Sequence, residues 1–474
     1  MVEKIKAFFG LLCAFAVFGC IPLHADSLAV TGGTLIDGTG AKPLRDATIL
    51  IEDGRITRVG AADEVAVPEN ATRIDARGKF VIPGLMDANV HLFSSIADLE
   101  KLYKFEGRYH EMIVEAAQLA LRNGLTTVFD TWGPRAPLVR ARDQIEAGER
   151  VGARIFLAGN IIGFDGPFSA DFYGQAATVL LPSFVQKIND LWEQGVGREL
   201  MWWGPDRVRA TVTEYAARDV DFLKYGASGH SEMFFIQFSP RVQRTIVETG
   251  HEAGFTVQAH TSSVESLDMA IDAGVDIATH CDVTGPETPM PEETIRKLRE
   301  RGVACSVLPI TQARLEAMLE QQPNGYITPF MKTAAGNIRK MIEGGVTLLL
   351  STDAGIMSDE VEAMLNAMAG GSVDVDPRTR LGEGHFNALA ALEEMGMAPM
   401  DILSAATANT AAAYGLSAKL GTLEAGKLAD LLILDDDPLK SAHNYRSIHA
   451  VIKAGRVIDT AALPDDPIVT RDAG

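Results

Sequence analysis

Asn89, His91, Asp130, Lys224, His260, His280 and Asp353 each fall at or near the end of a short apolar run. All can hold a metal ion or move a proton. The first pair closes the stretch Phe80-Val81-Ile82-Pro83-Gly84-Leu85-Met86-Asp87-Ala88-Asn89-Val90-His91. In an extended segment alternate side chains share a side, so Asn89 and His91 face one cavity. That spacing suits a metal site in which a carboxamide stands where a first imidazole is usual. A lone histidine at a strand end is more often a packing or loop residue. His91, His260 and His280 together, with a lysine and an aspartate, point to metal chemistry.

Lys224 lies in Val220-Asp221-Phe222-Leu223-Lys224-Tyr225-Gly226, an otherwise apolar run. An unpaired ammonium there is costly. One reading pairs it with Asp130 or Asp353. The other keeps the amine neutral and nucleophilic by burial, so that it adds carbon dioxide and becomes a carbamate, an anionic oxygen ligand able to bridge two cations.

The elements that must position these residues alternate along the chain. Strand-like runs end at His91 and cover Leu125–Thr131, Arg154–Ile162, Asp221–Ala227, Phe255–His260, Asp276–His280, Ala304–Leu308 and Thr347–Asp353. Helical stretches between them include Tyr109–Arg122, Pro205–Arg218, Arg241–Ala253, Pro291–Arg301 and Met331–Glu343, several followed by a capping glycine such as Gly274 or Gly302. Eight strands with helical crossovers predict an α/β fold, a (β/α)8 TIM barrel over residues 81–409, whose chemistry sits where the strands end. No Gly-rich phosphate loop and no nucleophile elbow are present. Both ends are β-rich, with an Asp53-Gly54 hairpin turn, and predict a small β-sandwich domain from residues 26–80 and 410–474.

The chain has 474 residues, 47% of them hydrophobic, with 43 Lys+Arg against 63 Asp+Glu, a formal charge of -20. An acidic surface repels nucleic acid and anionic lipid, so neither is an expected partner. Lys4 and Lys6 precede an apolar run from Ala7 to Gly19, and Leu23-His24-Ala25 is a cleavage site, so residues 1–25 read as a signal peptide. The run is shorter than the about 20 residues of a membrane span. A periplasmic or secreted protein is expected, with lipidation at Cys20 as the alternative. Cys281 and Cys305 are expected as buried free thiols.

Val81-Ile82-Pro83-Gly84-Leu85-Met86-Asp87 with His91, Lys224, Gln258-Ala259-His260-Thr261, Thr279-His280 and Ser351-Thr352-Asp353-Ala354-Gly355 occur in that order. Ala405-Ala406-Thr407-Ala408-Asn409 and Gly421-Thr422-Leu423-Glu424-Ala425-Gly426-Lys427-Leu428-Ala429-Asp430-Leu431 follow. The set resembles the metal-dependent amidohydrolase superfamily, in its imidazolonepropionase-like and Xaa-Pro dipeptidase-like branch, over essentially the whole chain after the leader. The resemblance implies one or two divalent metal ions, zinc by expectation. His91, carboxylated Lys224 and Asp353 would hold one; Lys224, His260 and His280 would hold the other. The family pattern is His-x-His on the first strand; here it is Asn89-Val90-His91, similar to phenylurea hydrolases of the superfamily. Asn89 is then a weak metal ligand or a substrate contact.

The implied chemistry is hydrolysis of a C–N bond in an amide, urea or carbamate by a metal-bound hydroxide. Asp353 would accept the proton and pass it to the leaving amine, while His230 or Tyr225 would help polarise the carbonyl. Asp130 is a candidate for orienting a ligand, and Asp87 for fixing the first strand. Phe164, Phe168, Phe172, Tyr173, Trp132, Trp202 and Trp203 in the loops favour a small hydrophobic substrate, with an aryl group as one option, or else pack a lid or an oligomer contact; a homo-oligomer is expected. No Arg or Lys cluster stands beside the ligands to bind a free carboxylate; Arg135 and Arg241 are no more than candidates for it. A Xaa-Pro dipeptidase or N-acyl amino acid hydrolase is the alternative, and a non-catalytic binding protein the third reading.

Overall fold

The computed structural model describes residues 27–93, 98–231, 233, 235–321, 328–358 and 380–471. The leader, with Cys13 and Cys20, lies outside the described residues. The N-terminal strands are β1 (Ser27–Leu35), β2 (Leu44–Glu52), β3 (Arg55–Ala61), β4 (Thr72–Asp75) and β5 (Phe80–Pro83). Asp53 and Gly54 turn β2 into β3 with φ of 50° and 76°, the left-handed pair that a two-residue hairpin of this hand requires.

The middle of the chain carries parallel strands. They are β6 (Leu85–His91), β7 (Leu125–Asp130), β8 (Arg154–Leu157), β9 (Leu223–Gly226), β10 (Val257–His260), β11 (Ile277–Thr279), β12 (Ala304–Val307), β13 (Leu348–Leu350) and β14 (Ala354–Gly355). They form two parallel sheets, β13-β12-β11-β10-β9 and β14-β6-β7-β8. Ile162, five residues past β8, bridges to Tyr225 in β9, and β14, directly downstream of β13, pairs with Val90 and His91 of β6. Helices including Tyr109–Arg122, Arg135–Glu146, Pro205–Ala216, Pro240–Glu252, Val264–Ala273, Glu292–Arg301 and Thr328–Glu343 join them. Except for β8, where buried and half-buried residues alternate, these strands are buried along nearly their whole length, as parallel strands covered on both faces must be. Gly274 and Gly302 end their helices at φ of 91° and 67°, conformations that cost glycine little.

The C-terminal strands β15 (Leu431–Leu434), β16 (Ile448–Lys453) and β17 (Arg456–Val457) join the N-terminal ones in one eight-stranded sheet, β17-β16-β15-β5-β1-β2-β3, with β4 beside β1. Ile56 beyond the first hairpin donates to Lys427 O and accepts from Gly426 N, returning that edge toward β15. The unit expected as a sandwich is, by its hydrogen bonds, one curled sheet around Leu28, Val30, Ile49, Ile51, Leu431, Ile433 and Ile452.

The expected seam at 80/81 falls inside β5, which stays paired with Leu431–Leu434 through Pro83. Gly84 makes the change of sheet, and a Cβ there would run into the Thr126 side chain. The seam expected at 409/410 is crossed as well. Tyr414 stacks on Phe129 at 3.7 Å between centroids and donates to Ala88 O at 2.7 Å, closing the end of the parallel strands away from the candidate site. Among the described residues no helix is long and apolar enough to cross a membrane. Cys281 and Cys305 are buried and free.

Candidate active site

The first strand is not regular. Between Asp87 and Val90, β6 advances three residues while β7 advances two, from Val128 to Asp130. Such a bulge re-aims side chains, and here it spans Ala88 and Asn89. Asp87 is fully buried and ties β6 to the last strand end, accepting from Thr352 Oγ1 at 2.6 Å and Thr352 N at 3.2 Å. That is the strand-fixing part expected for it. Asn89 Nδ2 donates to Asp353 Oδ1 at 2.7 Å, and its Oδ1 accepts from the Thr131 hydroxyl. His91 Nε2 meets the same Asp353 oxygen at 3.1 Å. Asp130 accepts from Leu92 N at 2.7 Å and so holds the exit of the first strand.

Lys224 on β9 points the same way, with Nζ 3.0 Å from Thr131 Oγ1. His260 ends β10 and His280 follows β11, their rings 5.0 Å apart, and His230 lies 5.7 Å from His260. His280 and Asp353 have φ of 51° and 56°, a region that costs a non-glycine residue about 1–3 kcal/mol and persists only where the surroundings impose it. These groups converge on a pocket of about 210 Å³. His91, Lys224, His230, His260, His280 and Asp353 form its polar wall, and Trp132, Ile161, Phe172, Tyr173 and Met357 its apolar one.

Burial dominates the electrostatics. It pushes the Lys224 ammonium down to about 8, against the pull of Asp353 and Asp130. His280 is lowered to about 4 and His260 well below its ordinary value, again by burial first and then, for His260, by the neighbouring imidazoles. Burial raises Asp130 to about 6. It would raise Asp353 too, but the hydrogen bond and charge of His91, with His280 and Lys224, outweigh it and hold that carboxyl well below the usual range. The result is His260 and His280 disposed to stay neutral, an amine deprotonated more readily than usual and an ionised Asp353 carboxylate beside one pocket.

Tyr225 is not part of this site. Strand neighbours face opposite ways, and with Lys224 pointing into the pocket the Tyr225 hydroxyl lies 3.0 Å from Gln243 on the covering helix Pro240–Glu252. His230 is present, but its Nδ1 lies 3.1 Å from the backbone oxygen of Asp171, which can only accept. Nδ1 therefore carries the proton, and in the neutral ring Nε2 is an acceptor. Only the imidazolium could donate from Nε2 to a carbonyl, and burial disfavours it. Asn89 is fully buried and does not line the pocket.

Of the loop aromatics, Phe172 stacks on Trp132 at 4.1 Å and lies 4.6 Å from His230, while Phe164 backs His260 at 5.5 Å. Phe168 is buried against Phe184 instead. Trp202 is 81% exposed, and Trp203 carries Arg207 on its face, so neither reaches the pocket. Arg135 is committed to Arg218 O at 2.7 Å, and Arg241 is exposed at the start of its helix. Thr131 escaped the sequence reading, although it directly follows Asp130 at a strand end.

Buried His260 Nε2, His280 Nδ1 and His91 Nδ1 have no hydrogen-bond partner. Orphaned donors and acceptors of this kind are expensive unless an ion or water completes them, and imidazole nitrogens beside a carboxylate are a donor set for a divalent transition metal. Among the described residues no three His, Cys, Asp or Glu side chains gather closely enough to hold an ion by themselves. A cation here would draw on Lys224 as well, and the donor set fits one on that condition.

Residues 80–459 match the family model described as the amidohydrolase family. The solved structure of molinate hydrolase superposes with a TM-score of 0.89 at 40% identity, covering 95% of this chain and 99% of that one. Phenylurea hydrolase B gives 0.86 at 37%, covering 94% and 99%. Ochratoxinase of Aspergillus niger is 26% identical over 445 residues, 89% of this chain and 84% of the relative.

Proposed function

The chain belongs to the amidohydrolase family, and we propose that it hydrolyses the C–N bond of a small hydrophobic amide, urea or carbamate, aryl compounds included. The observation that carries this reading is the convergence of Lys224, four histidines and Asp353 on one pocket with an aromatic wall. Molinate hydrolase and phenylurea hydrolase B, the two solved relatives of highest identity quoted above, are both named for hydrolysis of small non-peptide compounds.

Enzymes of this family generally use one or two divalent metals with a carboxylated lysine. In this chain His91, Lys224 as its carbamate, His260, His280 and Asp353 would hold them, zinc being the expected ion. When bound, such an ion lowers the pKa of water and polarises a carbonyl. The protein does the rest. Asp353, ionised and fixed by Asn89 and His91, takes the proton of the attacking water and returns it to the leaving amine. His230, with a bare Nε2, accepts a hydrogen bond from the substrate or the amine. The stacked Trp132 and Phe172 rings form one apolar wall against which the apolar group lies, and exclude water.

The described residues lining the pocket offer no arginine for a free carboxylate, which disfavours dipeptides and N-acyl amino acids. The two parallel sheets are read as halves of one closed (β/α)8 barrel, joined by the Ile162–Tyr225 bridge and by the β14–β6 pairing. The sequence pattern of the leader supports a periplasmic or secreted location, with lipidation at Cys20 as the alternative. Exposed Val179, Leu181 and Trp202 on the long insertion suit a contact between copies. Purified protein should cleave aryl ureas, anilides or carbamates in preference to Xaa-Pro dipeptides and N-acyl amino acids; the opposite preference refutes the substrate assignment.

A further inference from the structure

Asn89, the residue that departs from the family's His-x-His pattern, sits in a chain of hydrogen bonds with one possible direction. Asp353 Oδ1 faces both Asn89 Nδ2 and His91 Nε2. A carboxylate oxygen accepts, so the carboxamide must present its NH2 group there; the flipped amide would set oxygen against oxygen. Asn89 Oδ1 then faces Thr131 and must be given a proton, which the hydroxyl supplies. Having used its one proton, Thr131 Oγ1 can only accept from Lys224 Nζ, 3.0 Å away. A carbamate at Lys224 keeps one N–H, so the same order holds for the amine and for its carboxylated form. All four groups are buried or in the pocket wall, and both ends of the Asn89 carboxamide are engaged.

We propose that Thr131 and Asn89 form a one-way hydrogen-bond relay that fixes the Asp353 carboxylate with respect to Lys224. Asn89 is thereby a positioning residue, where a metal ligand was expected, and Thr131 is its obligatory partner. The backbone reinforces the pair, since Asp353 N donates to Asn89 O at 2.9 Å and Thr131 N to Val90 O at 3.1 Å. Threonine to valine keeps the shape and removes the hydroxyl proton that Asn89 Oδ1 receives. The carboxamide is then no longer held in the orientation that presents Nδ2 to Asp353, and the carboxylate keeps only its His91 partner in a fixed sense.

The role in turnover rests on Asp353 acting as the base, so the test reads metal affinity separately from activity. Thr131→Val, Asn89→Ala, their double variant and Thr131→Ser are compared for Zn2+ affinity by chelator competition and for kcat and KM. Circular dichroism checks the fold. The relay predicts that either single change weakens Zn2+ binding or kcat by about 10- to 100-fold, the usual cost of losing an orienting partner. KM should stay near the original, the double variant should be no worse than either single one, and Thr131→Ser should restore the original behaviour. Multiplying effects in the double variant, or an unchanged Thr131→Val, overturn the relay. A large loss of Zn2+ from Asn89→Ala with none from Thr131→Val makes Asn89 a ligand and also overturns it. Should Thr131→Val fail to fold, Thr131→Ser against Thr131→Ala supplies the same comparison. If the unmodified protein hydrolyses none of the compounds, the functional reading fails while the Zn2+ affinities still decide the relay.

Discussion

Asn89 and Asp353 hold each other twice, through Asn89 Nδ2 to Asp353 Oδ1 at 2.7 Å and through Asp353 N to Asn89 O at 2.9 Å. The first strand and the last strand of the parallel set are thus joined at the site itself. Asp353 also takes the His91 ring at 3.1 Å on the same oxygen. A carboxylate so engaged stays ionised and keeps one orientation.

Asp353→Asn preserves the size of the side chain and removes the base. Its kcat should fall by about 100- to 10,000-fold, the usual span for a general base, with the melting temperature little changed. Steady-state kinetics with calorimetry checks this, and retained turnover moves the base elsewhere.

Lys224 is 1% exposed, and burial, against the pull of Asp353 and Asp130, brings its ammonium down to about 8. A neutral amine there can take up carbon dioxide. Lys224→Ala should lose both metal and activity, with partial recovery on adding short carboxylates that stand in for the carbamate. Full activity without additives refutes the bridging role.

Phe172 closes the aromatic wall by stacking on Trp132 at 4.1 Å. Phe172→Ala removes an interaction worth about 1 kcal/mol beyond its area. The KM for aryl substrates should rise up to about tenfold, and less for small alkyl ones. Equal effects on both classes would place the aryl group elsewhere.

His385 lies outside the site, fully buried, with Nε2 3.0 Å from Asn123 O. Burial lowers it to about 3, far under its ordinary 6.5. A depressed folded value contributes stability that is present above pH 6.5 and lost as pH falls toward 3. His385→Gln should therefore lose less melting temperature than the unmodified protein between about pH 7 and about pH 4. An identical slope in both proteins would show that the ring does not carry that dependence.

Much of this site was legible because strand ends announce themselves. His260, His280 and Asp353 close apolar runs, and Lys224 interrupts one, so the parallel strands, ending on one side, convert their order into proximity. What escaped depended on facts that periodicity does not carry. The β6 bulge sits between Asp87 and Val90 and turns Asn89 toward Thr131, and a bulge leaves no mark in the residue types. Tyr225 was misplaced because adjacency to Lys224 in sequence means the opposite face of a strand. His230 kept its place but not its role, since the tautomer is set by the Asp171 carbonyl. The terminal sheet was recognisable from its hairpin turns; its curl and its seam at Gly84 depend on long-range pairing between Phe80–Pro83 and Leu431–Leu434.

The activity proposed for this pocket is hydrolysis of C–N bonds with a bound divalent metal. The most direct test is elemental analysis of purified protein together with hydrolysis of aryl ureas and carbamates before and after chelation. One or two transition-metal ions per chain, removed by the chelator along with activity and both restored by adding the metal back, is the predicted result. Hydrolysis that survives complete removal of metal, or a metal-loaded protein that cleaves no amide, urea or carbamate, contradicts it.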